Sequence, residues 1–117
     1  MAPTKIIFGC AALFFSTPEE VKEYLEICER HRIDKLDTAR RYGNSETLLG
    51  EQEAGRRFII DTKLPVYHPG DLTKDVMIER LETSFKELRV DSVSFVSLLA
   101  NRSIRSLVSY AFKCERS

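Results

Sequence analysis

The chain has 117 residues, enough for one ordinary domain with one modest core. Its 18 basic and 18 acidic residues balance, which excludes the strongly charged surface expected of a protein that binds nucleic acid or an anionic membrane. No apolar run approaches the roughly 20 residues of a membrane-spanning helix. The three cysteines are odd in number and lack metal-site spacing, so we expect no metal and a reducing compartment, the cytoplasm.

The first predicted elements are a strand and an amphipathic helix. The segment KIIFGCAAL, residues 5–13, is apolar on both faces, which predicts a strand buried on both sides, and its Gly9 indicates a close approach of the backbone to another group. The segment STPEEVKEYLEICERHRI, residues 16–33, offers Ser16 or Thr17 as a helix cap and repeats apolar residues at helical spacing. It is therefore predicted to pack one stripe of a helix against a core.

The rest of the chain continues the alternation of strands and helices. The predicted elements are a strand at 34–38, a helix at 44–55, a strand at 57–64 ended by Pro65, a helix at about 73–89 with Ile78, Leu81, Phe85 and Leu88 on one face, and a largely buried strand at 91–99. Such alternation predicts parallel βαβ units, the α/β class. The tail, residues 100–117, shows only a weak helical spacing. A doubly wound, flavodoxin-like sheet has the same alternation, but FGCAAL is not a glycine-rich phosphate loop.

Three polar side chains are predicted at the carboxyl ends of neighbouring strands, where parallel α/β proteins place their chemistry. Asp37 ends the second strand, Tyr42 lies in the loop beyond it, and Lys63 ends the third strand. An ammonium group near a phenol favours the phenolate, and a carboxylate beside the lysine keeps that ammonium charged and oriented. The set is therefore a candidate general acid for protonating a carbonyl oxygen while hydride reaches the carbon.

These residues also carry a resemblance to a known family. KLDTARRYGNSETLLGE resembles the LDTAxxYGNSExxLGE signature of the aldo-keto reductases, and IIDTK resembles their next strand with its catalytic lysine. IERLETSFKELRVDSVSFVSLL is similar to the following helix and strand, and IIFGCAAL is similar to the opening strand. The resemblance runs in order from about Lys5 to Leu99, which identifies the chain as a suspected member.

The resemblance implies a fold, a reaction and a set of site residues. It implies the N-terminal half of a (β/α)8 barrel of the TIM type, and a metal-free reduction of small aldehydes or ketones by NADPH. Tyr42 would donate the proton, Lys63 would activate it and Asp37 would pair with Lys63. The cofactor would contact Asp37, Gly9 and Cys10.

Two departures from the family pattern change what we expect of this chain. The family's fourth catalytic residue, a histidine that ends the fourth strand, is replaced by Leu99, which cannot donate a hydrogen bond to a carbonyl oxygen. A complete barrel needs about 250 residues, so four of eight strands are expected here, in residues 1–99, followed by a divergent tail at 100–117. We therefore expect doubtful cofactor binding, little or no turnover, and self-association through open sheet edges. The alternative is a non-catalytic fragment or a pseudoenzyme that binds a partner.

Other polar residues near these motifs receive simpler interpretations. His68, in the loop after the third strand, is a possible replacement for the missing histidine, but a solvated turn residue is the simpler interpretation. Arg40 and Arg41 flank the tyrosine and could meet an acidic substrate or a phosphate, although exposed loop charges explain them as well. Ser45 and Glu46 are assigned to the start of the helix.

Overall fold

Five strands and three α-helices follow one another in the described part of the chain, residues 4–100 and 111–115 of a computed structural model. Their order in the sheet is the order in the chain. The elements are β1 (Phe8–Gly9), α1 (Pro18–Arg30), β2 (Lys35–Asp37), α2 (Ser45–Glu51), β3 (Ile59–Val66), α3 (Lys74–Leu88), β4 (Ser92–Ala100) and β5 (Ala111–Glu115). Short 3-10 helices occupy Leu13–Phe15, Ala54–Arg56 and Pro69–Asp71.

The first four strands are parallel, and the helices that connect them pack on one face of the sheet. Side chains that alternate along the strands enter a common core with the three helices: Leu36, Ile60, Leu64 and Val96. The predicted α/β class with parallel βαβ units is therefore confirmed. We call the opposite side of the sheet the helix-free face, because no described helix covers it; its members are Gly9, Lys35, Asp37, Ile59, Asp61, Lys63, Phe95 and Ser97.

The first helix forms where local signals are strongest. Thr17 accepts a hydrogen bond from the backbone N–H of Glu20, and the Glu20 carboxylate accepts one from the N–H of Thr17, which is a complete capping box. Pro18 occupies the first turn, where its missing N–H costs nothing. The buried stripe consists of Val21, Leu25 and Cys28. None of the described helices is both long and apolar enough to cross a membrane.

Helices α2 and α3 approach each other closely at a glycine. A Cβ placed on Gly50 would lie 1.9 Å from the backbone oxygen of Glu87, so no side chain fits there. The buried face of α3 consists of Leu81, Ser84, Phe85 and Leu88, whereas Ile78 is 41% exposed, and the prediction that it packs on this face is wrong.

Two predicted strands differ from the observed ones. Strand β1 is only two residues long, and Ile6, which precedes it, is 64% exposed. Strand β3 continues through Pro65 to Val66 instead of ending before the proline. The carbonyl of Lys63 faces the β2 side, where it accepts from the N–H of Arg40, and Pro65, two residues on, faces the same side after β2 has ended. No ladder bond is lost there, so the proline is tolerated.

The described part of the tail, residues 111–115, forms a strand, whereas most of the residues with weak helical spacing lie outside the described range. Strand β5 pairs antiparallel with β4, with an irregularity in β4 between Val93 and Val96. The edge of the fourth strand is therefore covered by the described part of the tail, and self-association through open sheet edges stays a prediction. The predicted burial of that strand is correct for Val93 and Val96, whereas Phe95, on the helix-free face, is 41% exposed. Residues 101–110 of the predicted tail lie outside the described residues.

Candidate active site

The register of the sheet brings Gly9, Asp37 and Lys63 to one end of the helix-free face. Gly9 lies beside Asp37 across β1 and β2, and Asp37 lies opposite Asp61 across β2 and β3. Lys63 is two residues further along β3, level with the loop that follows β2. Because β3 extends beyond β2, Lys63 is inside its strand rather than at its end, but its side chain still reaches the carboxyl end of β2.

The ammonium of Lys63 is held by two oxygen atoms. It lies 2.7 Å from Oδ1 of Asp37 and donates a second hydrogen bond, 3.1 Å long, to the carbonyl oxygen of Thr38. The lysine side chain is 20% exposed and the aspartate side chain 39% exposed. The ammonium therefore has a fixed position at the border between the sheet and solvent.

The ring of Tyr42 lies next to this ammonium. Nζ of Lys63 is 5.1 Å from the centroid of the Tyr42 ring, within the range of a cation–π contact. The structure thus brings together the three side chains that the sequence nominated, Asp37, Tyr42 and Lys63, at one end of the sheet. Their catalytic roles stay a prediction.

The loop that carries Tyr42 depends on a glycine and on a neighbouring aromatic residue. Gly43 has a φ of 55°, in the left-handed region, and a Cβ placed there would lie 2.8 Å from Cβ of Phe14. The 3-10 helix that contains Phe14 therefore packs directly against the turn after Tyr42. A buried pair of hydroxyls supports the same loop: Thr38 and Ser45 lie 2.9 Å apart, and Ser45 donates to the carbonyl of Cys10.

The three residues expected to contact a cofactor occupy different environments. A Cβ placed on Gly9 would meet nothing within 4 Å, so there is open space beside the half-exposed Asp37. Cys10 is fully buried, its N–H donates to the carbonyl of Asp37, and burial, with the nearby Asp37 carboxylate, raises the pKa of its thiol to about 12. With its thiol in the core and its backbone groups engaged, Cys10 fixes the end of β1 and presents no side chain to a cofactor.

Two polar interactions near the site were not identified from the sequence. Lys35 and Asp61 form a second ion pair across β2 and β3, 3.1 Å long, on the same face as the first. Glu46 lies in the first turn of α2, as assigned, but it is almost completely buried there and accepts hydrogen bonds from the hydroxyls of Thr62 and Ser84. Ser45 is the first residue of α2, as assigned, and its hydroxyl lies 2.9 Å from that of Thr38. The alternation of β3 places Thr62 toward the helices, but no sequence signal identifies its partner.

The histidine and the two arginines near the candidate site differ in their surroundings. The backbone N–H of His68 donates to the carboxylate of Asp71, which closes the turn after β3, and its side chain is not placed against Tyr42 by any described contact. Arg41 lies over the ring of Tyr67 with its guanidinium carbon 5.5 Å from the centroid. Nη1 of Arg40 is buried without a hydrogen-bond partner among the described residues. Within residues 4–100 and 111–115, no cluster of His, Cys, Asp and Glu is arranged to hold a metal ion.

Comparisons with known proteins connect this geometry to one family. The model of the aldo/keto reductase family matches residues 5–102. The oxidoreductase sirO of Leptosphaeria maculans is 38% identical, over 75% of this chain and 31% of its own length. Two solved structures of candidate aldo-keto reductases from Pseudomonas aeruginosa match with TM-scores of 0.71 and 0.72, at 24% and 23% identity, over 84% of this chain and 42% of theirs.

The chain belongs to the aldo/keto reductase family, because the family model covers most of its length. The suspected membership is confirmed. The two solved structures bear on the fold alone, and they support the α/β architecture of part of a barrel. The chain spans less than half the length of the relatives it matches, 31% of sirO and 42% of the solved structures. The division into a barrel part at 1–99 and a tail at 100–117 stays a prediction.

Proposed function

We propose that this chain carries the proton-donating part of an oxidoreductase site that reduces an aldehyde or a ketone with NADPH. The observation that carries the proposal is the Asp37–Lys63 ion pair beside the Tyr42 ring, in a chain of the aldo/keto reductase family. The similarity to sirO, which is named an oxidoreductase, supports the same class of reaction.

Tyr42 is the proton donor of the proposed reaction. NADPH, when bound, supplies the hydride that adds to the carbonyl carbon. The hydroxyl of Tyr42 gives its proton to the carbonyl oxygen as negative charge develops there, so the O–H bond of the alcohol forms while that of the phenol breaks. The ammonium of Lys63 stabilises the phenolate that remains, and Asp37 holds the ammonium in place. Solvent then returns a proton to Tyr42.

The residues present leave room for the cofactor beside Asp37. The space next to Gly9 is open, and Asp37, with its side chain 39% exposed, borders it on the same face. These two residues are the ones that would contact the nicotinamide end, whereas Cys10 would act only by fixing the end of β1.

Leu99, at the position of the family's histidine, is a reason to expect impaired turnover. Leu99 pairs in register with Pro65 in β3, two residues beyond Lys63. An alkyl side chain donates no hydrogen bond to the carbonyl oxygen, and loss of one such donor typically lowers kcat by about 10²–10³-fold. We therefore propose that the chain turns over slowly and that Leu99→His raises kcat.

The test measures NADPH oxidation with a panel of simple aldehydes, together with NADPH binding by fluorescence. We compare the chain, the Leu99→His variant and each of these with Tyr42→Phe added. Turnover that rises with Leu99→His and disappears with Tyr42→Phe supports the proposal. Turnover that survives Tyr42→Phe contradicts the role of Tyr42. Absence of both binding and turnover in the Leu99→His variant contradicts the catalytic proposal as a whole.

The second candidate is a non-catalytic member of the family that binds a partner. The observation that favours it is the same leucine, which removes a donor from the site without replacing it by another polar group. In this case neither NADPH fluorescence nor NADPH oxidation responds to Leu99→His.

A further inference from the structure

Glu46 is an acidic residue in the core that the proposed reaction does not use. Its side chain is 1% exposed, although it occupies the first turn of α2, a position that normally faces solvent. Burial raises the pKa of its carboxyl, and the hydroxyls of Thr62 and Ser84 offset this only in part. Burying a carboxyl is costly unless its oxygen atoms are hydrogen-bonded, so the contacts of Glu46 decide whether it is tolerated in the core.

The two carboxyl oxygens of Glu46 contact two different elements. Oε2 accepts a hydrogen bond of 2.7 Å from the hydroxyl of Thr62 in β3, and Oε1 accepts one of 3.0 Å from the hydroxyl of Ser84 in α3. All three side chains are at most 1% exposed. Glu46 therefore connects its own helix to one strand and to one neighbouring helix.

The connection to β3 lies between the two polar groups of the proposed site. Tyr42 is four residues before Glu46, and its carbonyl accepts from the N–H of Ser45, so the loop that carries the phenol is continuous with the first turn of α2. Thr62 directly precedes Lys63. A short path therefore runs from Tyr42 through Glu46 and Thr62 to Lys63, beneath the helix-free face.

We propose that Glu46 is a positioning residue, which sets the separation between the Tyr42 ring and the Lys63 ammonium through its hydrogen bond with Thr62. The effect of this role on catalysis rests on the proposed function, whereas the hydrogen bonds themselves do not depend on it. The carboxyl holds the start of α2 against β3, so the ring and the ammonium cannot move apart without breaking a buried hydrogen bond. Ser84 stabilises the same carboxyl from α3 and has no path of its own to the site.

The structure provides matched controls for this role. Thr62→Val and Ser84→Ala each remove one buried hydroxyl that donates to the same carboxyl, but only the first lies next to Lys63. The Lys35–Asp61 pair lies on the same face and involves the same strand, away from Tyr42, so its ammonium reports general damage to the sheet. Glu46→Gln keeps the shape and lets one hydroxyl accept from the new amide.

The test uses NMR of the full chain and needs neither cofactor nor turnover. We follow the ammonium cross-peaks of Lys63 and Lys35, assigned by Lys→Arg variants, and the nuclear Overhauser contact between the Tyr42 ring and the ε-methylene of Lys63. Thr62→Val is expected to abolish the Overhauser contact and the Lys63 cross-peak while the Lys35 cross-peak remains. Ser84→Ala and Glu46→Gln are expected to leave all three signals in place.

Two results would overturn the proposal. The first is a Tyr42–Lys63 contact that survives Thr62→Val in a folded protein, which would make Glu46 a structural residue of the core only. The second is evidence of a general contribution to stability. That evidence would be either equal loss of the Lys63 and Lys35 signals in Thr62→Val or equal effects of Thr62→Val and Ser84→Ala. Because the signals are read without NADPH, an inactive chain does not bear on either outcome.

Discussion

Two ion pairs cross from β2 to β3 on the helix-free face, with the same residue types in opposite orientation. In one pair β2 supplies Lys35 and β3 supplies Asp61, 3.1 Å apart, and in the other β2 supplies Asp37 and β3 supplies Lys63, 2.7 Å apart. Both pairs are partly exposed, and Asp37 and Asp61 lie directly opposite each other in the register. As ion pairs alone they are nearly equivalent.

The difference between the two pairs is their surroundings. Lys63 also donates to the carbonyl of Thr38 and lies against the Tyr42 ring, because β2 has ended at that level and its loop folds over the strand. The ammonium of Lys35 has Asp61 as its described partner, and no ring among the described residues makes a cation–π contact with it. A lysine–carboxylate pair alone therefore does not distinguish the two positions; the loop beyond β2 places the ring of Tyr42 next to the Lys63 ammonium.

Replacing each lysine by methionine tests this comparison with the largest expected effect. In the Leu99→His variant, Lys63→Met should lower kcat by about 10²–10⁴-fold, because the general acid loses the charge that stabilises its conjugate base. Lys35→Met should leave kcat nearly unchanged. Steady-state NADPH oxidation measures both, and equal losses in the two variants would show that the surroundings of Lys63 carry no special role.

The loop beside the Asp37–Lys63 pair can be disturbed without changing any charged residue. Gly43→Ala forces a left-handed residue and a contact with Phe14, and should destabilise the protein by about 1–3 kcal/mol while displacing Tyr42. Gly70→Ala is the matched control, since a Cβ at Gly70 meets nothing within 4 Å. Urea denaturation followed by circular dichroism measures both changes, and a neutral Gly43→Ala would contradict the tight packing of this loop.

The two aspartates should differ modestly in their contributions to stability. Asp37→Asn leaves the Lys63 ammonium with neutral oxygen acceptors in place of a carboxylate and should cost about 1 kcal/mol, since the pair is partly screened by solvent. Asp61→Asn should cost less, because Oδ1 of Asp61 is buried without a described hydrogen-bond partner. Denaturation at low and high salt checks this, and the difference should shrink as salt rises.

The smallest expected effect is a pH dependence of the protein's stability, caused by Glu46 in the core on the other side of the sheet. Burial raises the pKa of Glu46 above its ordinary value, so the folded state keeps this proton to higher pH than the unfolded state. Its contribution to stability is therefore complete at low pH and is lost as pH rises through the raised pKa, by at most about 1.4 kcal/mol per pH unit. Glu46→Gln should flatten the stability profile above the ordinary titration range of a glutamate carboxyl.

A control is needed because another carboxyl responds in the opposite direction. The pKa of Asp71 is lowered, first by the N–H of Tyr67 and then by Arg80, so its contribution is lost only as pH falls into the acid range. Measurements above about pH 5 therefore isolate the effect of Glu46. An unchanged profile in Glu46→Gln would mean that its carboxyl titrates as it does in the unfolded chain.

The parts of the fold that depend on local signals were predictable from the sequence. Thr17, Pro18 and Glu20 mark the start of α1 within four residues, and the strand–helix alternation determines a parallel sheet. The end of β3 was not predictable in this way, because Pro65 is tolerated only where β2 has already stopped.

The candidate site was predictable to the extent that strand ends and loops converge. Asp37, Tyr42 and Lys63 follow from that rule and from the family signature, and the structure places them together. Glu46 could not be recognised, because an acidic residue after an asparagine and a serine is typical of an exposed helix start. Its burial depends on Ser84, which is 38 residues away in sequence and contacts it only in the folded chain.

Strand β5 has a consequence for how this sheet can grow. It runs against β4 and occupies the hydrogen-bonding edge to which the next parallel strand of a barrel would be added. The family match ends at residue 102, before β5 begins, so this reversed strand lies outside the matched segment. The sheet therefore has two unlike borders, a two-residue parallel strand on one side and a five-residue reversed strand on the other. A second polypeptide that extended the sheet on the β4 side would have to displace β5 first or pair with β5 itself, whose direction is opposite to that of the parallel strands.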